Sequence, residues 1–261
     1  MTTPLDNPLD LTGRTVIVTG GTKGVGRGIT DRFLAMGADV VVTARHEPDR
    51  PISVDGRDAL FVAADIRDLE QIDLVIAATL DRFGRLDVLV NNAGGSPMAD
   101  AATASPRFTQ AIINLNLMAP LFFSQQANAV MQTQADGGSI INIGSISGVR
   151  PSPGSAAYGA AKAGLLNLSQ TLAVEWAPRV RVNVVTGGII ETEQAHLHYG
   201  DAEGVAAVAR TIPMQRMGTP TDIADACLFL ASPLAGFITG TNLTVHGGGE
   251  RPTFLDAANV D

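Results

Sequence analysis

Tyr158 and Lys162 stand four residues apart in the segment Ser155-Ala-Ala-Tyr-Gly-Ala-Ala-Lys-Ala-Gly. Residues at that spacing share one face of a helix, so the ammonium can lie under the phenol. A free tyrosine titrates near ~10, and a cation within a few ångströms favours phenolate, drawing the group toward the range where it can serve as acid or base. Ser145 closes the apolar run Ser139-Ile-Ile-Asn-Ile-Gly-Ser, where a hydroxyl can polarise a carbonyl. Alanine-rich helices also carry Tyr-Lys pairs by chance, so the weight of this pair depends on what precedes it.

What precedes it is Thr19-Gly20-Gly21-Thr22-Lys23-Gly24-Val25-Gly26, between an apolar run and an amphipathic one. Gly20 permits a tight turn, and Gly24 and Gly26 let backbone approach a pyrophosphate at a helix N-terminus, where unpaired N–H groups favour anions. In this strand-turn-helix context the loop reads as a dinucleotide site. The second apolar run ends Val42-Thr43-Ala44-Arg45. A carboxylate near that point would bond the ribose hydroxyls of NAD and repel a 2′-phosphate. Ala44 lacks one, whereas Arg45 offers a planar cation suited to phosphate and Lys23 supplies a second charge, so NADP is expected over NAD. Asp65 follows the third strand with Ile66. Its carboxylate can accept from the adenine amino group, cap the next helix, or do both.

The elements that position these groups alternate. Arg14-Thr-Val-Ile-Val-Thr, Asp39-Val-Val-Val-Thr, Ala59-Leu-Phe-Val-Ala, Leu86-Asp-Val-Leu-Val, Ser139-Ile-Ile-Asn-Ile, Val180-Arg-Val-Asn-Val-Val and Asn242-Leu-Thr-Val read as strands. Between them helices are predicted over 25–36, 69–83, 108–131, 157–176 and 221–231. Apolar strands alternating with helices predict an α/β fold: one Rossmann-like, doubly wound parallel sheet of about seven strands, with helices on both faces. The organisation reads as a flexible leader over 1–10, the domain over 11–249 and a tail over 250–261. Pro48, Pro51 and Gly56 make a regular helix unfavourable over 46–58, and an irregular crossover is expected there.

Composition sets outer limits. The chain has 261 residues, ample for a substantial core, with 18 basic and 26 acidic residues and a net charge of −8. That balance argues against nonspecific nucleic-acid binding and attraction to anionic membranes. Cys227, the single cysteine, leaves no internal disulfide or thiolate cluster and reads as a buried, inert thiol. The N-terminal residues carry neither a cationic nor an apolar targeting pattern, and no apolar run approaches the ~20 residues of a membrane span. A cytoplasmic protein is the expectation. His46, His196, His198 and His246 show no ligand spacing on a common element, so no metal is expected.

Taken in order, these motifs resemble those of the short-chain dehydrogenase/reductase family. The likeness extends from about Leu11 to Gly248 and includes the glycine loop, Asn91-Asn-Ala-Gly94, Ser145 and Tyr158-Gly-Ala-Ala-Lys162. Ile212-Pro-Met-Gln-Arg-Met-Gly-Thr-Pro and Ile238-Thr-Gly-Thr-Asn-Leu-Thr-Val also match. The resemblance implies a tetrad of Asn116, Ser145, Tyr158 and Lys162 acting on a ketone or secondary alcohol. Asn116 fits the family pattern better than Asn114, which reads as a helix-surface residue. Ser145 and Tyr158 would hydrogen-bond the carbonyl, Tyr158 would donate the proton, Lys162 would lower the tyrosine pKa and bind the nicotinamide ribose, and Asn116 would hold a water chain.

The same resemblance puts Asn91, Asn92, Ala93 and Gly94 beside the adenosine and ribose, and Gly188, Ile190 and Thr192 beside the nicotinamide. Gly187 stands where the family usually has proline, and His246 replaces the aspartate of the common Val-Asp-Gly-Gly ending. A substrate lid is implied over 193–216, containing His196, His198, Tyr199 and the small-residue helix around Val205, with Met214 and Met217 as candidate pocket walls. A second wall is implied over 95–98. Arg210 and Arg216 give no clear dock for an acidic carrier, and the substrate stays open among 3-oxoacyl thioesters, steroids and other carbonyl compounds. A homotetramer or homodimer is implied, built through the helices that begin at Phe108 and Ala157. The rival reading is a catalytically silent NADP(H)-binding sensor or regulatory protein.

Overall fold

The computed structural model describes residues 7–193, 195 and 199–254. Seven strands form one parallel sheet in the order β5-β2-β1-β6-β7-β8-β9: β1 (Thr15–Thr19), β2 (Asp39–Ala44), β5 (Leu60–Ala63), β6 (Val88–Asn91), β7 (Gly138–Ser145), β8 (Val180–Gly187) and β9 (Asn242–Val245). Val16, Ile17, Val18, Val40, Val41 and their neighbours are buried whichever way they point, because helices cover both faces. That is why these strands read as unbroken apolar runs rather than alternating ones.

The helices form two layers. On one face lie α1 (Gly24–Ala35) and α7 (Pro220–Ala231), whose Ile29, Phe33, Ile223 and Cys227 pack on Val16, Val18 and Val185. On the other lie α2 (Leu69–Phe83), α4 (Ala119–Met131) and α5 (Ala156–Trp176), with Ile72, Phe123, Met131 and Leu172 against Ile17, Val41 and Ile140. Burying a side chain such as Phe33 or Phe123 contributes about 1.5–3 kcal/mol. Cys227 lies wholly inside the first layer, and burial pushes its thiol far up, so it is an inert packing group. Of the N-terminal leader, residues 7–10 are described, and Leu9 packs against this layer. No helix among the described residues is long and apolar enough to cross a membrane.

Two local features differ from the sequence expectation. The crossover after β2 contains a small antiparallel hairpin, β3 (Ser53–Val54) with β4 (Arg57–Asp58), in place of an irregular path. Its turn, Asp55-Gly56, has φ of 51° and 77°, and two consecutive positive φ values match the right-handed twist of the paired strands. The long helix expected over 108–131 is interrupted. α3 (Pro106–Ile113) passes through a π-helical segment at Asn114–Met118 before α4, and the Ala119 N–H reaches back to the Asn114 carbonyl. The lid region carries α6 (Ala202–Thr211), as the small-residue run implied.

Strand order reverses between β1 and β6: the chain winds outward through β2 and β5, returns to β6, and continues through β7, β8 and β9. The connections beyond β1 and β6 therefore leave in opposite directions and open a crevice at the carboxyl ends of the strands. The glycine loop, Asn91–Gly94, Ser145 and Gly187-Gly188 all emerge there.

Candidate active site

A cleft of about 1030 Å³ follows this crevice. Its walls include Gly20, Thr22, Lys23, Gly24, Val25 and Gly26 from the first loop, and Arg45, Asp65 and Ile66 from the ends of β2 and β5. Asn92, Ala93 and Gly94 line it from the end of β6, and Gly188, Ile190 and Thr192 from the end of β8. Ser145, Tyr158 and Lys162 close its far end. Every residue read from the sequence as cofactor-contacting thus faces one cavity, apart from Asn91. That side chain is buried and turned into the sheet, where its amide donates to Ser124 Oγ at 2.9 Å and Asn142 Oδ1 at 2.8 Å. The residue after it carries the loop instead: Asn92 Nδ2 donates to the Thr19 and Gly20 carbonyls at 2.9 and 3.2 Å.

At the start of α1, Gly20 and Gly24 have φ of 64° and 54°, and a Cβ on Gly26 would lie 2.2 Å from the Gly20 carbonyl oxygen. The loop therefore keeps its curl only with glycine at these points. No side chain of Lys23 caps α1. The Gly24 N–H donates instead to a carboxylate oxygen of Glu193 at 3.0 Å. The helix N-terminus thus already holds an anion in this structure, as its orphan donors and dipole favour.

Charges around the β2 end divide clearly. Arg27 pairs with Asp31, and Arg67 with Asp65, whereas Lys23 and Arg45 have no ion-pair partner among the described residues. The Asp65 carboxyl is held below its ordinary range, first by the hydrogen bond from the Arg67 side chain. Asp65 does not cap the helix that follows. That role belongs to Asp68, whose side chain accepts from the Glu70 N–H, because capping geometry requires the residue directly before the first helical turn. His46, Glu47, Pro48, Asp49 and Arg50 also line the cleft, and the sequence reading missed them by treating this stretch as a connection only.

At the far end, Tyr158 projects from the first turn of α5 with Lys162 one turn on. Lys162 Nζ lies 5.7 Å from the phenol ring centroid and donates to the Ile143 carbonyl at 2.7 Å. Ser145, at the end of β7, lies beside the Tyr158 hydroxyl and accepts from the Ser147 N–H at 3.2 Å. Burial pushes the Lys162 ammonium down to about 8. Burial also raises the Tyr158 phenol, and the Ser145 hydrogen bond offsets part of that rise. The sequence-based expectation of a lowered tyrosine is therefore reversed. Both groups sit in a low-dielectric wall that favours their neutral forms.

Asn116 sits in the π-helical segment, fully buried, while Asn114 is exposed as expected. Its Oδ1 accepts from the Gly95 N–H at 2.8 Å, and its Nδ2 donates to the Gly95 and Ile112 carbonyls at 3.0 and 2.9 Å. The side chain thus grips the backbone beyond β6. His196 and His198 lie outside the described residues.

A family model described as enoyl-(acyl carrier protein) reductase matches residues 20–250. Similar proteins include the 3β-hydroxysteroid dehydrogenase 1 of Eggerthella lenta, 37% identical over 92% of this chain and 94% of that protein. The chain belongs to the short-chain dehydrogenase/reductase family. It is also 35% identical to a 3-oxoacyl-[acyl-carrier-protein] reductase of Vibrio harveyi, over 92% of this chain and 98% of that one. Among solved structures, the ligand-free aldohexose dehydrogenase of Thermoplasma acidophilum superposes with a TM-score of 0.85 at 31% identity, covering 97% and 98% of the two chains. This short-chain dehydrogenase is therefore an oxidoreductase of a family that uses a nicotinamide cofactor, with the family's sheet and crevice intact.

Proposed function

We propose that the protein is an NADP(H)-dependent oxidoreductase that interconverts a ketone and a secondary alcohol through Asn116, Ser145, Tyr158 and Lys162. The observation that carries the reading is the convergence of Ser145, Tyr158 and buried Lys162 on the same cleft that the glycine loop lines. The residues suit a dinucleotide: the α1 N-terminus already takes the Glu193 carboxylate, and Lys23 in the glycine loop and Arg45 at the end of β2 line the cleft with no ion-pair partner among the described residues. A 2′-phosphate satisfies those cations, and NAD leaves them unmatched.

When bound, the nicotinamide supplies or accepts the hydride. In the reductive direction, the Ser145 and Tyr158 hydroxyls hold the carbonyl oxygen and stabilise the negative charge that develops on it. Tyr158 then transfers its proton to that oxygen. Lys162 places its ammonium beside the phenol and stabilises the phenolate left behind. Asn116 acts by position: it fixes Gly95, and so the segment over 92–95 that borders both Lys162 and the cleft. A Cβ on Gly94 would lie 2.7 Å from Asn116 Oδ1, so this approach depends on glycine. In oxidation each proton moves the other way.

Assembly as a homo-oligomer through the helices around α3–α4 and α5 belongs to the same reading. Val174 on α5 is among the exposed large apolar residues. Fluorescence titration with NADPH and NADH tests the cofactor assignment. Tighter NADPH binding is expected, and equal or tighter NADH binding would overturn it. The sensor reading has no observation of its own in its favour.

A further inference from the structure

A second cavity of about 230 Å³ adjoins the first, and Gly188 lines both. Its lining also includes Ile146, the residue after Ser145, so it lies on the Ser145 side of the cleft. Ile146, Val149, Ile189 and Ile212 give it apolar walls. Its polar members are Arg150 and, from one segment a hundred positions on, His246 and Glu250.

Arg150 and Glu250 form an ion pair. Arg150 also donates to the Pro151 carbonyl and Ser152 Oγ, both at 2.9 Å, so its donors are largely committed. Tyr199 lies close enough to feel both charges. The segment bearing Glu250 is held over the cavity by backbone: the Met214 N–H donates to the Gly247 carbonyl at 3.1 Å, and the Arg251 N–H to the Thr211 carbonyl at 3.2 Å. His246 differs. Its backbone and Cβ pack on Gly188, where an added Cβ would lie 2.6 Å away, and its ring has no hydrogen-bond partner among the described residues. An imidazole offers one donor and one acceptor when neutral.

We propose that this cavity holds the part of the substrate beyond the reacting carbonyl, and that it selects a compact, uncharged ketone or secondary alcohol whose second oxygen bonds His246. The inference rests on the carbonyl-oxidoreductase reading above and names its substrate class. Size excludes a large body, since ligand pockets usually span ~300–1,000 Å³. Charge excludes an acid: Arg150 is already neutralised, and a substrate carboxylate would face Glu250 in a largely apolar site. The imidazole, which has no hydrogen-bond partner among the described residues, favours a distal hydroxyl or carbonyl over a plain hydrocarbon.

Steady-state kinetics with NADPH on three ketones test this: cyclohexanone, the same ring with a hydroxyl opposite the ketone, and the same ring with a carboxylate there. Binding of each to the protein–NADPH complex is read separately by calorimetry. The hydroxylated ring should exceed cyclohexanone in kcat/KM by roughly tenfold, the strength of one hydrogen bond, and the carboxylate should be the poorest. His246→Leu should collapse the hydroxyl preference and His246→Gln should restore part of it, while Glu250→Gln should improve the carboxylate by freeing Arg150. Turnover with no hydroxyl preference, or a preference that His246→Leu leaves in place, overturns the pocket assignment while the oxidoreductase reading stands. Binding that follows the predicted order without turnover sinks the oxidoreductase reading and keeps the pocket. Neither binding nor turnover of any of the three overturns the substrate class.

Discussion

Replacing Lys162 with methionine should stabilise the fold while removing activity. The ammonium is buried, and burial lowers its value from 10.5 to about 8. At ~1.36 kcal/mol per factor of ten, holding the charged form inside costs roughly 3 kcal/mol at neutral pH. The sign follows from the direction. The folded value lies below the unfolded one, so between pH 8 and 10.5 the unfolded chain binds more protons, and the lysine's contribution rises with pH across that window. Below pH 8 the cost is fully present. Methionine removes it and forfeits the bond to the Ile143 carbonyl, a loss of about 1 kcal/mol. The net gain is about 2 kcal/mol at pH 7, near zero at pH 10. At ~2–4 °C per kcal/mol for a chain of this size, Tm should rise by about 5 °C at pH 7. Thermal unfolding of both proteins at pH 7 and pH 10, without cofactor, measures this. A variant that is less stable at pH 7, or whose Tm difference does not change with pH, refutes the argument that burial dominates this lysine.

Other outcomes follow from particular contacts. Ala44→Asp combined with Arg45→Ser should shift cofactor preference toward NAD, read as the ratio of NADPH to NADH dissociation constants, and an unchanged ratio removes the phosphate site. Glu193→Gln should tighten NADPH binding by about threefold, since the carboxylate competes for the Gly24 N–H and the dipole of α1; weaker binding would show that the contact supports the site. Asp87 is buried at the base of β6, where hydrogen bonds from Arg85, the Thr15 N–H and Arg14 outweigh burial and hold its carboxyl below the ordinary range. Its contribution is present above the unfolded value and lost as pH falls through the folded one, so Asp87→Asn should cost about 2–3 kcal/mol at pH 7 and progressively less in acid, as urea unfolding would reveal.

The sheet was legible because each strand is buried on two faces, which leaves unbroken runs such as Val40-Val41-Val42 in the sequence. The glycine loop was legible because its turn and close approaches tolerate little else. The π-helical segment at Asn114–Met118 was not, since its periodicity differs from α by a single register step inside an apolar helix. The hairpin at Asp55-Gly56 carried a signal, the Asp-Gly pair, which the surrounding prolines obscured. Asp68 rather than Asp65 caps α2 because it immediately precedes Leu69. Contacts made by folding alone were beyond reach: Glu193 on Gly24, and Arg150 with Glu250, join segments separated by 169 and 100 positions. The raised phenol of Tyr158 was equally hidden, because burial depends on walls contributed by several elements.

The most direct test is NADPH consumption by the purified protein against a panel of ketones, with Tyr158→Phe measured alongside. The account predicts turnover by the wild-type protein and a loss of about 10²–10⁴-fold in kcat for the variant, with NADPH affinity preserved. Turnover of a good substrate that persists in Tyr158→Phe would contradict it.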